Sequence, residues 1–131
     1  MERGSFGHVR TGELATARTD EGLSVLTITG EHDLSTAPAL RRQLEDLLGD
    51  RDGIIVDLSS ATFIDSSILG AILDGKRRAA DAGIGFAVVH ANSADGVGRV
   101  LDVTGLRAEL PVHADKQDAV SALSVNSRNP S

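Results

Sequence analysis

Apolar residues recur along this chain first at strand spacing and then at helix spacing, and the alternation of the two sets the expected elements. Glu13 to Arg18 and Leu23 to Gly30 are short strand-like runs separated by Thr19-Asp20-Glu21-Gly22, a polar turn with glycine near its end, which predicts an antiparallel pair. Ser35 or Thr36 can cap the next segment and Pro38 fits its first turn. Leu40, Leu44, Leu47 and Leu48 then fall at i, i+4, i+7 and i+8, the spacing of an amphipathic helix. Ile54-Ile55-Val56-Asp57-Leu58 is apolar and β-branched apart from one acid, as in a central strand covered on both faces.

Thr62 to Gly70 reads T-F-I-D-S-S-I-L-G: an apolar strand end, then Asp65-Ser66-Ser67, then a helix-period run. Leu69, Ile72, Leu73, Lys76 and Ala80 share one helical stripe, and Gly83 is placed to close that helix, which covers Ser67 to Ala82, as a left-handed cap. Ile84 to His90 reads as another buried strand. Val97, Val100 and Leu101 mark a shorter helix behind possible caps at Asn92 or Ser93, ending near Gly105. Glu109 to Val112 is a weak last strand, and Asp115 to Leu123 a last helix with Ala119, Val120 and Leu123 inward. Strands alternating with helices predict an α/β domain: a mixed, mostly parallel sheet of about five strands, the first two antiparallel, with about four helices. Residues 1–12 and 124–131 carry no apolar period and read as flexible tails around a single domain at 13–123.

Composition narrows the function classes. A chain of 131 residues matches one domain, and three Phe are its only aromatics, so the core is packed from Leu, Ile, Val and Ala and offers no stacking platform for bases. The formal charge is −6, from 19 acids against 13 bases, and the densest basic cluster is Lys76-Arg77-Arg78. That balance argues against a direct nucleic-acid partner, which needs clustered Lys and Arg. Without cysteine there is neither a disulfide nor a thiolate metal site. The N-terminus lacks the apolar stretch of a signal peptide, and no segment approaches the ~20 apolar residues of a membrane span. A cytoplasmic protein with no membrane contact, monomeric when free, is the expectation.

Asp65-Ser66-Ser67 is the junction with the most chemistry. It presents serine hydroxyls where a helix begins, beside N–H groups that have no internal partner and the positive end of the helix dipole, where a phosphate is stabilised. Asp and Ser are also common helix caps, so local physics alone favours a plain cap. A hydrolase reading of Ser66 needs a G-x-S-x-G elbow with a base; Ile64-Asp65-Ser66-Ser67-Ile68 has no glycines at that spacing, and only His90 and His113 follow it. Gly96-Val97-Gly98 has Leu101 where a dinucleotide fingerprint has its third glycine, and reads as a loop. Glu31-His32-Asp33 places alternate side chains on opposite sides of an extended segment, with no second histidine to complete a metal site. His32, His90 and His113 read as structural.

Four stretches taken together change the weighting: Gly30-Glu31-His32-Asp33-Leu34-Ser35-Thr36-Ala37, Ile55-Val56-Asp57-Leu58, Phe63-Ile64-Asp65-Ser66-Ser67 and Leu101-Asp102-Val103-Thr104-Gly105-Leu106. In order and spacing they resemble the STAS domain of bacterial anti-sigma-factor antagonists, over a span from about Glu13 to Leu123. The resemblance implies a sheet flanked by helices, no catalytic residue, cofactor or metal, and an ATP-dependent anti-sigma serine kinase as partner. The unphosphorylated antagonist binds that kinase and frees a sigma factor; phosphorylation of the serine after the motif aspartate, here Ser66, breaks the complex, and a serine phosphatase restores it. Ser67 is the alternative acceptor. Asp65 is expected to position the acceptor and help the kinase activate its hydroxyl, Asp33 to contact the kinase, and the outward residues of the helix from Ser67 to Ala82, including Asp74, Lys76 or Arg77, and Arg78, to set partner specificity. Many members of the family carry glycine directly after the two serines; here Ile68 stands there, expected to add apolar surface beside the acceptor, while Gly70 is retained. An alternative within the same family is a subunit of a transporter or stress-signalling assembly that is never phosphorylated.

Overall fold

The computed structural model describes residues 12–50, 52–91 and 95–128. The first two strands, β1 (Glu13–Arg18) and β2 (Ser24–His32), pair antiparallel from Glu13 opposite Thr29 to Arg18 opposite Ser24. The turn between them is closed by Gly22 N–H on the Thr19 carbonyl at 2.9 Å and by Leu23 N–H on the Thr19 hydroxyl at 3.1 Å.

β2 is nine residues long and uses its second edge twice. Ser24 to Thr27 pair in parallel with β3 (Ile54–Asp57). At Gly30, held at φ 83°, the register shifts, and Gly30, Glu31 and His32 pair in parallel with β4 (Ala61–Ile64). Beyond β3 follow β5 (Phe86–Val89) and the two-residue β6 (Val112–His113), both parallel, giving the spatial order β1-β2-β3-β5-β6 with β4 lying beyond the end of β3.

Every residue of β3 and β5 is buried, as expected of strands covered on both faces. Alternation divides them between two cores. Ile54, Val56, Phe86 and Val88 join Leu26 and Ile28 under α1 (Ala37–Asp50), α2 (Ser66–Ala82) and α3 (Gly96–Val103), whereas Ile55, Ala87, Val89, Leu23 and Val25 meet Ala119 and Leu123 of α5 (Lys116–Arg128). The inward leucines of α1 are Leu40, Leu44 and Leu47, as their spacing predicts. Gly83, at φ 74°, ends α2 with its N–H on the carbonyls of Ala79 and Ala80, the left-handed cap expected of it.

The fold class is that read from the sequence, with differences in detail. Among the described residues the sheet has six strands and the chain five helices, because Ala61–Ile64 forms a strand of its own and Leu106–Glu109 a single helical turn, α4. The last strand is Val112–His113, since Glu109 still belongs to α4. The buried stripe of α2 is Ile68, Leu69, Ala71, Ile72, Gly75 and Ala79, and Ala80 faces out: the helix is wedged between the sheet and α1, so its covered face is wider and rotated from a simple amphipathic stripe. Asp95 caps α3, accepting from Gly98 N–H at 2.8 Å; the expected caps Asn92 and Ser93 lie outside the described residues. Helix α5 runs to Arg128, five residues past the boundary placed at Leu123, and residues 1–11 of the expected N-terminal tail lie outside the described residues.

Gly30 is where β2 changes partner, and its positive φ is strained for any residue with a Cβ. Gly30→Ala is therefore expected to lower unfolding stability by about 1–2 kcal/mol, and Gly30→Asn by less, since asparagine tolerates this region better. Urea denaturation of the three proteins checks this; an unchanged midpoint in Gly30→Ala would show that β2 can turn without the left-handed conformation.

Candidate functional site

The pairing of His32 with Ile64 decides the site, because the next residue on each strand is an aspartate: Asp33 on β2 and Asp65 on β4 leave the sheet side by side. Each then organises a turn of the same form, Asp-x-Ser. Asp33 Oδ1 accepts from the N–H of Ser35 at 2.9 Å and from its hydroxyl at 2.7 Å. Asp65 Oδ1 accepts from the N–H of Ser67 at 3.0 Å, from its hydroxyl at 2.5 Å, and from Ile68 N–H at 3.2 Å. Asp65 is thereby the N-cap of α2.

These bonds fix the ionisation of the pair. The Ser67 hydroxyl, with the N–H groups of Ile68, Ser67 and Leu34, holds the Asp65 carboxyl below its ordinary value against the opposing effect of burial. The Ser35 hydroxyl and N–H do the same for Asp33, although the nearby charge of Asp65 pushes the other way. Two ionised carboxylates therefore sit at one edge of the sheet at neutral pH.

In each turn the middle residue is the one whose side chain is left outside. Leu34 is 72% exposed, and Ser66 is exposed with no hydrogen-bond partner for its hydroxyl among the described residues. The structure thus separates two serines that sequence could not: Ser67 is half-buried and bonded to Asp65, and Ser66 is open. The Asp65 carboxylate holds the helix start and Ser67 and makes no bond to the Ser66 hydroxyl.

Ile68 overturns its expectation altogether. Its side chain is fully buried in the core under α2, with none of it exposed beside the acceptor, because the first turn of the helix points this position at the sheet. The apolar surface beside the site comes from residues not singled out for it: Leu34, next to Asp33, and Phe63, 48% exposed on β4.

His32 and His90 make structural contacts. His32 is buried, its Nε2 lies 3.0 Å from the Thr29 carbonyl and its Nδ1 3.1 Å from the Thr36 hydroxyl, tying the end of β2 to the start of α1. Buried His90 meets the α3 cap Asp95 through Nε2 at 3.1 Å, and its N–H donates to the carbonyl of His113. The outward residues of α2 form surface ion pairs: Arg78 with Glu45 and Asp74, Arg77 with Glu109, and Asp74 also with Arg41. No helix among the described residues is long and apolar enough to cross a membrane.

Fold and site together define a small mixed α/β domain with paired acidic turns at one sheet edge. Residues 15–119 match the family model of the STAS domain, and the chain belongs to that family. An anti-sigma F factor antagonist of Paenibacillus polymyxa is 31% identical over 106 residues, covering 79% of this chain and 89% of that protein. The crystal structure of an anti-sigma factor antagonist from Mycobacterium paratuberculosis is 25% identical, with a TM-score of 0.72 over 87% of this chain and 95% of the other. An anti-sigma-factor antagonist (STAS) domain protein from Planctomyces limnophilus shares the fold at 18% identity and TM-score 0.71, covering 85% of this chain and 97% of its own.

The geometry yields two stability predictions. Asp65→Ala is expected to cost about 1–2 kcal/mol at pH 7, the range for losing a helix cap. Because the folded-state pKa of Asp65 is depressed, its contribution is present above the unfolded value and is lost as pH falls through the folded one, so the gap between parent and variant closes in acid below the ordinary aspartate range. Urea titrations at pH 7 and in acid measure both. Ile68→Ala is expected to cost about 2–5 kcal/mol, as for other large buried side chains; an unaltered stability would return Ile68 to the surface role first expected of it.

Proposed function

We propose that this protein is an anti-sigma-factor antagonist switched by phosphorylation of Ser66. In its unmodified form it binds an ATP-dependent anti-sigma serine kinase and so releases a sigma factor; the kinase modifies Ser66, the complex dissolves, and a serine phosphatase returns the protein to its binding form. The observation that carries this reading is the contrast between the two hydroxyls: Ser66 is exposed and uncommitted at the start of α2, while Ser67 is engaged by Asp65. The 31% identity to an antagonist supports the class of partner.

In the modification step the Ser66 oxygen attacks the γ-phosphorus of ATP, the bond to the β-γ bridging oxygen breaks, ADP leaves, and the hydroxyl proton passes to a base of the kinase. The antagonist's part is to present the hydroxyl. Capping by Asp65 holds the first turn of α2 in place, with Ser66 at its start, the positive end of the helix dipole. Asp33 contributes charge, and Leu34 and Phe63 contribute apolar contact, to the docking surface around it.

The same surface explains how the switch opens. A phosphoserine adds about −1.5 to −2 charges where two carboxylates already stand. Facing the phosphates of a kinase-bound nucleotide, that charge is repelled, and about 2.7 kcal/mol is enough for a hundredfold loss of affinity. The domain itself has no need to refold.

Incubation with ATP and an anti-sigma kinase from the same genome, followed by mass spectrometry, tests the reading. The expected result is one added phosphate on the parent and on Ser67→Ala, and none on Ser66→Ala, with the modified parent no longer retained by immobilised kinase. Absence of phosphate on the folded parent with every such kinase would leave the unphosphorylated-subunit alternative in its place.

A further inference from the structure

Ser66, Gly70 and Asp74 follow one another at four-residue intervals on α2 and so form one stripe on its surface. Helix α1 runs beside that stripe in the same direction. Near its middle Leu44 packs so closely on Gly75 that a Cβ there would lie 3.0 Å from the leucine, and Glu45 pairs with Arg78 at 3.2 Å. One turn earlier on α1, Arg41 reaches across and pairs with Asp74 at 3.3 Å.

The path of that arginine is the informative feature. Its guanidinium passes over Gly70: a Cβ placed at Gly70 would have Arg41 Nη2 at 3.9 Å and no other atom this near outside the flanking residues and the helix's own backbone. Glycine is an unfavourable residue inside a helix, by about 1 kcal/mol relative to alanine. Here it leaves an open track from Asp74 to the position of Ser66, about two helical turns away, and Ser66 is one turn beyond Gly70, where neighbouring positions have Cβ atoms about 5–6 Å apart.

We infer that Arg41 is the internal receptor for a phosphate on Ser66, its guanidinium leaving Asp74 and crossing Gly70 to reach it. The inference rests on the reading of Ser66 as the modified residue and names the group that answers the modification. The existing bond is weak enough to exchange: Arg41 and Asp74 are 50% and 48% exposed, a setting in which ion pairs contribute little. Asp74 is not abandoned by the exchange, because Arg78 Nε already lies 3.5 Å from the same oxygen. A phosphoserine has more charge than a carboxylate and three acceptor oxygens, and the arginine fork suits two of them. Phosphorylation thus alters the α1–α2 groove as well as the tip of α2, giving a partner two surfaces by which to tell the two forms apart.

Phosphoserine can be installed at position 66 during translation, which removes any dependence on a kinase. The second ionisation of its phosphate, ordinarily near pH 6, is then followed by 31P NMR. The carboxylates of Asp33, Asp65 and Asp74 raise it in every variant, while Arg41 opposes them. Relative to the parent, Arg41→Gln is expected to raise this pKa by about half a unit. Gly70→Leu, which blocks the track, moves it in the same direction, and Arg42→Gln, in the same groove, leaves it in place. Superimposed titrations for the parent and Arg41→Gln would overturn the inference. Failure of every kinase to modify Ser66 is a separate result: it removes the proposed function and leaves the NMR outcome standing.

Discussion

The site exists because β2 is longer than the strand it first pairs with. Its first four residues satisfy their outer edge against β3, and beyond them the edge would be bare. Gly30 turns the chain at a positive φ, and the remaining backbone groups find β4 instead. An unpaired edge carries a row of donors and acceptors that must be satisfied, so the pairing is strongly driven. It also draws a short segment, Ala61–Ile64, out of the connection between β3 and α2 and fixes its register on β2. Asp33 and Asp65 are 32 positions apart in the chain and neighbours in space for this reason alone.

From that register the chemistry follows without further design. An aspartate leaving a strand can bond the N–H two residues on, and a serine there adds its hydroxyl to the same oxygen. Done twice, side by side, this leaves the middle residues outward and both carboxylates ionised. Rigidity and exposure are thus separated between adjacent residues: Ser67 holds the turn, and Ser66 is presented by it.

What could be read in the sequence was whatever depends on near neighbours. The leucine spacing of α1, the continuous apolar run of β3 and the glycine ending α2 each signal their structure within a few residues. β4 is different. Only its end residues are buried, four residues are too few to display an alternation, and its partner lies thirty positions earlier, so it was visible only as the end of a strand. Ile68 was misjudged for a related reason: whether the first turn of α2 faces the sheet or solvent depends on how the helix is set against α1, which no local pattern records. Which of the two serine hydroxyls is bonded and which is open follows from the turn geometry, although the repeated form Asp33-Leu34-Ser35 and Asp65-Ser66-Ser67 holds a hint that the third residue of each is the bonded one.

The placement of charge gives the site its direction. Some carboxylates of the described residues are answered by cations, Asp50 and Asp52 by Arg18, Glu45 and Asp74 by Arg78, Glu109 by Arg77, Asp102 by Arg107 and Asp57 by Lys116, and others, Glu31 beside the site among them, are not. Among the described residues Asp33 and Asp65 have no such partner. Hydrogen bonds keep them ionised without neutralising them, so their field is directed outward from the edge where Leu34 and Phe63 are exposed. A surface that is apolar and anionic together makes local charge, as well as shape, part of what a partner meets. Charge added at Ser66 then acts where the protein holds its own carboxylates uncompensated. Under the proposed function, a phosphate on Ser66 would therefore change the charge of this edge with no need for a change in the fold beneath it.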